Sequence, residues 1–287
     1  ALRIAQKLNH HYGMALSLEK LGLLSAYNKG DLESAKSYLQ ESSRIFLELD
    51  DANSYIRHCN CLEQMANFDG KFEEVVELRQ KLINFLEKLG DPFRVSELYM
   101  LLGEAYHHVG DYTSAEMKGR KGFDYLNKSG SKFYQCWSEW FLSLTLISQK
   151  DYHQAGSLLT QAIAISREIN SKSHLIGNLA ALGRVEIANG NYESAERILY
   201  EGLEEAIIAG EPFMMLYILA SMALFLAVRD DTQKALDVYA YVHSWKFVSN
   251  SQWFSDVYLK PLLSLTGTDK IIAKERQGKD ALWHMAE

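Results

Sequence analysis

The sequence predicts an all-α solenoid of stacked helix hairpins, and three observations lead there. Glycines recur with a period of 40 residues at Gly30, Gly70, Gly110 and Gly190, with Lys150 and Asp230 in the remaining slots. Five residues after each slot comes Ala35, Val75, Ala115, Ala155, Ala195 or Ala235. A second punctuation runs out of phase at the same period, through Asp51, Asp91, Ser131, Ser171, Glu211 and Ser251. A fixed period in this range marks a stack of like supersecondary units rather than one closed core.

Each half of a unit reads as a helix. Asp91 can accept hydrogen bonds from the exposed N–H groups of a new helix, and Pro92 suits its first position. Tyr99, Leu102 and Tyr106 then recur at helical spacing, with Gly103 beside them where a neighbouring helix needs room. Val109-Gly110-Asp111 ends that helix with a left-handed glycine and caps the next. Tyr112, Ala115, Phe123 and Leu126 carry the second stripe before Ser129-Gly130-Ser131. The unit is thus two antiparallel helices of about sixteen residues joined by tight turns.

Repeats are expected near residues 12–50, 51–90, 91–130, 131–170, 171–210 and 211–250. Residues 1–9 read as a partial repeat and 251–267 as a half repeat. Residues 268–287 read as a capping helix or tail, and array ends call for a wetter outer face. Repeat one is out of step: Gly22 to Gly30 spans eight residues where Gly103 to Gly110 spans seven. A chain that begins inside a repeat is expected to be a piece of something larger.

Composition narrows the function. With 47% apolar and 23% charged residues the chain folds rather than staying disordered. A net charge of −7 argues against a surface that tracks phosphates, so no direct nucleic-acid binding is expected. Cys59, Cys61 and Cys136 are a sparse, odd set that fits a reducing, cytoplasmic setting. Pro212 to Val228 carries no charge, but it is short for a span and falls where the repeat requires an interior helix. No membrane association is expected.

Catalytic signatures are missing. There is no phosphate-cradling glycine loop, dinucleotide fingerprint, His-Glu-x-x-His pair or spaced CxxC pair. Cys59 and Cys61 beside His58 stand two residues apart, which sends them to different helix faces. No Ser/His/Asp set or carboxylate pair can be assembled from the repeat phase. The expectation is a non-enzyme with no catalytic residue, no cofactor and no metal.

The string Leu102-Gly103-Glu104-Ala105-Tyr106, then Gly110-Asp111-Tyr112 and Ala115, resembles the tetratricopeptide repeat. Leu182-Gly183, Gly190-Asn191-Tyr192 and Ala195 repeat it, and Asp151-Tyr152 with Ala155 form a weaker copy. The period is longer than the usual one of about 34 residues, as in the long-helix variety found in bacterial signalling regulators. The linkers Leu89-Gly90-Asp91 and Leu49-Asp50-Asp51 look like those of large bacterial transcriptional regulators of the STAND ATPase type. The terminal Glu275-Arg276-Gln277-Gly278, with Leu282 and Ala286, is similar to the end of such proteins. Peptide-pheromone receptors share the architecture.

The resemblance implies a right-handed superhelix of six to seven hairpins whose first helices line a concave groove. Stepping by the period from repeat three then places Arg57, Asn60, Gln64 and Asn67 in the groove, followed by Glu97, Met100, Glu104 and His107. Repeat four adds Trp137, Trp140, Leu144 and Ile147, repeat five Arg184 and Ile187, and repeat six Tyr217 and Leu224. The N-terminal half is polar and able to bond a peptide backbone, while the C-terminal half is apolar and aromatic. Trp137 and Trp140 either line the groove or pack as core against the next repeat. The expected function is non-catalytic binding of a protein or peptide segment, or of a small inducer. The chain would then be the sensor or docking part of a bacterial transcriptional regulator, joined to other domains. A stand-alone adaptor that assembles proteins is the alternative.

Overall fold

A computed structural model of the chain describes residues 1–126, 128 and 130–267. The expected tail at 268–287, with its 275–278 stretch, lies outside the described residues. After the short α1 (Leu2–Lys7), helices pair as α2 (His11–Lys29) with α3 (Leu32–Glu48) and α4 (Ala52–Phe68) with α5 (Phe72–Leu89). The pairs α6 (Pro92–Val109) and α7 (Tyr112–Leu126), and α8 (Lys132–Ser148) and α9 (Tyr152–Glu168), follow. Next come α10 (Lys172–Ala188) with α11 (Tyr192–Ala209) and α12 (Pro212–Val228) with α13 (Thr232–His243). The described chain ends in α14 (Lys246–Ser249), α15 (Gln252–Phe254), a π-helical turn (Ser255–Leu259) and α16 (Lys260–Thr266). Among the described residues there is no strand, and the fold is an α-solenoid.

Both punctuation marks are helix boundaries. The carboxylates of Asp31, Asp111 and Asp151 accept hydrogen bonds from the N–H groups of Ser34, Ser114 and Gln154, at 3.0–3.1 Å. Asp51 and Asp91 cap α4 and α6 in the same way. Lys150 and Asp230, in the glycine slots, take left-handed φ values of 62° and 63°. A side chain costs about 1 kcal/mol in that conformation, so the register is imposed by the backbone even where glycine is absent.

The recurring small residues set how closely paired helices approach. Ala35, Val75, Ala115, Ala155, Ala195 and Ala235 are all wholly buried. At Gly103 a β-carbon would stand 2.8 Å from the Ala115 carbonyl oxygen and 2.7 Å from the Phe141 ring, so only glycine fits. The extra residue of repeat one is absorbed by α2, which has 19 residues where α4, α8, α10 and α12 have 17. The uncharged α12 is largely buried, with Leu216, Ile218, Ala220 and Ala223 at 1% exposure or less and the Met215, Leu219, Met222 and Leu226 stripe half-buried. Among the described residues no helix is long and apolar enough to cross a membrane.

The stack curls until α12 touches α2, and the chain then turns back across its own inner face. Trp245 lies over Gly30, and Asn250 Nδ2 donates to the Asp69 carbonyl at 3.1 Å. Ser251 Oγ pairs with His108 Nδ1 at 2.8 Å, and Trp253 Nε1 donates to Ser148 Oγ at 3.0 Å. The segment therefore crosses the C-terminal ends of α2, α4, α6 and α8. Pro261 has no N–H to offer the Val257 carbonyl, and Arg184 Nε on α10 donates to that oxygen instead, at 3.2 Å. Residues 251–267, expected as a half repeat, are broken into α15, the π-helical turn and α16, and Trp253, Phe254, Val257 and Tyr258 are at most 4% exposed. They join the main core, which runs from Ala15 in α2 to Leu262 in α16.

Candidate functional site

With one end of the bore covered, the inner face holds a blind-ended cleft. It consists of three cavities of about 360, 520 and 200 Å³ that share lining residues, and Leu101 lines them all. The largest, at the mouth, lies between the N-terminal halves of α4, α6 and α8, bounded by Asn53, Arg57, Arg94, Glu97 and Trp137. The 360 Å³ cavity reaches the floor, where Phe68, His108, Phe213, Tyr217 and Phe247 meet. The smallest opens sideways between Trp137, Trp140, His174, Gly177 and Met214.

Ion pairs fix the polar wall. Arg79 reaches in from α5 and holds Glu63 at 2.7 Å, both side chains almost wholly buried, and it donates to the Leu101 carbonyl as well. Arg57 donates to Glu19 at 2.8 Å and to the Tyr12 hydroxyl at 3.2 Å, tying repeat two to repeat one. Glu104 lines both the floor and the side cavity. Burial pushes its carboxyl above the usual range, and Glu63 adds to this while Arg79 opposes it. Next to the floor, burial pushes His107 and His108 down to about 3, so both imidazoles are neutral at pH 7. His108 stacks on Phe72 with ring centroids 4.5 Å apart.

Two serine–histidine contacts border the cleft, Ser251 with His108 at 2.8 Å and Ser171 with His174 at 2.7 Å, and burial holds both imidazoles towards their neutral form. Among the described residues no group of three or more His, Cys, Asp or Glu side chains could hold a metal ion. Cys59 packs with Leu82 and Ile83, whereas Cys61 belongs to the main core, so the two thiols part as their spacing requires. What the cleft offers is shape, aromatic surface and a few fixed polar groups, the makings of a binding site.

No protein-family model and no curated protein matches the chain. Solved structures do. A Rap protein complexed with Competence and Sporulation Factor superposes with a TM-score of 0.68 at 14% identity, over 93% of this chain and 74% of that one. A Pyrococcus horikoshii protein described as a Signal Transduction ATPase with Numerous Domains, with a tetratricopeptide repeat sensor, superposes with a TM-score of 0.55 at 18% identity. That match covers 99% of this chain and 39% of the other. BtubC from P. vanneervenii gives a TM-score of 0.55 at 16% identity, over 72% of this chain and 87% of that one. The fold is that of tetratricopeptide-repeat proteins.

Within that fold, nine of the residues placed in the groove by the repeat phase line the cleft. Arg57, Asn60, Gln64 and Asn67 come from α4, and Glu97 and Glu104 from α6. Trp137 and Trp140 come from α8 and Tyr217 from α12. Trp140 is 7% exposed, so it is at once a wall of the cleft and part of the core.

The other seven lie elsewhere. Met100 is buried against Leu126, Phe141 and Leu142, and His107 stacks on Phe141 and bonds Thr145 through Nε2 at 2.9 Å. The inner stripe of α6 runs through Glu97, Leu101, Glu104 and His108, so the 40-residue step misses by one position at two of four places. Leu144 and Leu224 are buried in the cluster that holds Trp253, Phe254 and Tyr258, with Ile147 and Ile187 beside them. Arg184 is held by the Val257 carbonyl. These positions are covered by the returning C-terminal segment. Leu98, Leu101, Met214 and Phe247 were missed; helical spacing from Glu97 would have found Leu101, but nothing local marks Phe247.

Proposed function

We propose that this chain is a non-catalytic binding module that takes a peptide segment into the blind cleft, as the sensor part of a larger regulator. The observation that carries the reading is the cleft itself. Its floor includes Phe247 from the protein's own returning segment, and its walls combine polar groups with Trp137, Trp140 and Tyr217. A STAND protein with a tetratricopeptide repeat sensor and a Rap protein bound to a factor, both of this fold, support it. Phe247 belongs to the segment that crosses four inner helices, so a ligand on the floor bears on the closure of the whole stack. Bound and free states would differ in how firmly that segment is seated.

The test selects binders from a library of random short peptides and compares wild type with Trp137→Arg and Ile208→Arg. Ile208 is 78% exposed on α11, away from the cleft. Selected peptides are expected to lose at least about tenfold in affinity on Trp137→Arg and nothing on Ile208→Arg. The opposite pattern, or no selectable peptide, contradicts the reading.

A further inference from the structure

The floor of the cleft is thin. Beyond it lies a further cavity of about 410 Å³, lined by Gly30, Lys36, Asp69, Trp245 and Lys246, and Phe68 borders both spaces. Phe247 lines the cleft and Trp245 the outer cavity, and Phe213 packs against each, with ring centroids 5.8 and 5.6 Å apart. Two of these three rings belong to the returning segment. Lifting that segment would join the two cavities end to end.

The segment is built to move as a piece. Its helix, α14, has four residues and no side-chain cap, and it hangs between two extended residues, Trp245 (ψ 125°) and Ser251 (ψ 118°). Single residues at the ends of a short element are where a hinge absorbs its change in dihedral angle. The chain is held fast on both sides: Tyr239, Ala240 and Val242 before it, and Trp253, Phe254 and Tyr258 after it, are at most 5% exposed. From 244 to 250 only Val248 is buried. Lys246, with an exposed side chain, stands 3.5 Å from Asp69, and Asn250 donates to the Asp69 carbonyl. An exposed ion pair of this kind adds little to stability.

The closed position is nonetheless specific. A β-carbon at Gly70 would lie 2.3 Å from the Lys246 carbonyl oxygen and 2.8 Å from the Asn250 β-carbon, so the segment seats on bare backbone. Gly190, at the equivalent turn of repeat five, has a similar left-handed φ and nothing within 4 Å. We propose that residues 244–251 are a gate, hinged at Trp245 and Ser251, that opens the closed end of the cleft while the rest of the solenoid stays folded. Open, it turns the blind cleft into a channel; closed, it restores the floor. Such a gate works whatever the cleft binds, and it opens without a ligand.

Native-state hydrogen exchange on the intact protein tests it residue by residue. The amides of Val248, Ser249 and Asn250, bonded to the Trp245 and Lys246 carbonyls, report the gate. Those of residues 240–242 and 257–259 report its two anchors. Corrected for intrinsic rates, the gate amides are expected to exchange at least about a hundredfold faster than either anchor, yet well below the rate of an open chain. Gly70→Asn places a wedge under the closed position with a residue that tolerates the left-handed turn. It is expected to speed the gate amides by about a further tenfold and to leave the anchors alone. Gly190→Asn makes the same demand on the backbone and is expected to change neither. Gate and anchor amides that exchange together overturn the proposal, since the segment then opens only when its surroundings unfold. Gate amides without protection overturn it too, because no closed state exists, and so does a Gly70→Asn effect that Gly190→Asn matches.

Discussion

In α4 and α6 the inner face carries Arg57, Asn60, Gln64, Glu97 and Glu104 and looks onto open cavity. In α8, α10 and α12 the inner face carries Leu144, Arg184 and Leu224, and the protein's own C-terminal segment lies on it. Trp253, Phe254 and Tyr258 occupy there the kind of place a ligand occupies in the other half. The difference teaches that an apolar stretch of solenoid groove need not await a partner. Here it packs against the protein's own residues 245–262, and the polar half with its border of Trp137, Trp140 and Tyr217 stays open.

The largest way to break this comparison is to empty the covered half. Trp253→Ala removes a wholly buried ring and its bond to Ser148, and should cost about 3–5 kcal/mol in urea unfolding. Trp137→Ala, at the border of the open half, should cost a fraction of that and act on binding instead. Equal losses would mean that the two halves are not distinct.

Next comes the polar wall, where Glu63→Gln leaves Arg79 buried without its counter-charge. The expected cost is about 3 kcal/mol by thermal or urea unfolding, against none for Glu104→Gln one cavity wall away. That contrast separates a buried, ion-paired carboxylate from a partly exposed one.

Acidification probes the seam between the halves. His107 and His108 have folded values near 3 and ordinary values near 6.5 when unfolded, so the unfolded chain takes up protons first. Stability is then full above pH 6.5 and lost as pH falls below it, by at most about 1.4 kcal/mol per pH unit for each histidine. His108→Gln, followed by melting temperature at pH 7 and pH 5, should flatten that slope. A slope unchanged by the substitution would remove the histidines as its source.

The smallest effect concerns the repeat itself. Lys150 holds a left-handed φ of 62° in a glycine slot, so Lys150→Gly should stabilise by up to about 1 kcal/mol in urea unfolding. A loss would show that the turn there is set by the lysine side chain.

Much of this was legible in the sequence because repetition is a local property. Gly110, Asp111 and Ala115 state a turn, a cap and a close approach within six residues, and the structure keeps all three. The groove was legible only as far as the period held. It fails at Met100 and His107 because α6 presents Leu101 and His108 to the bore instead, a shift of one position that a fixed step of 40 cannot register. It fails at Leu144, Arg184 and Leu224 for another reason. The returning segment lies far from them in sequence, Val257 being 73 positions from Arg184, and no period encodes such a contact. Pro261 was the one available hint, a helix breaker in a segment that the repeat required to be a plain helix.

The central claim, that the open half binds while the other half is already occupied, is tested most directly by ¹⁹F spectra of protein labelled with fluorotryptophan. A selected peptide is added at saturation. The account predicts that the signals of Trp137 and Trp140 move while that of Trp253 stays in place. Movement of Trp253 towards its solvent-exposed position, with Trp137 and Trp140 unchanged, would contradict it.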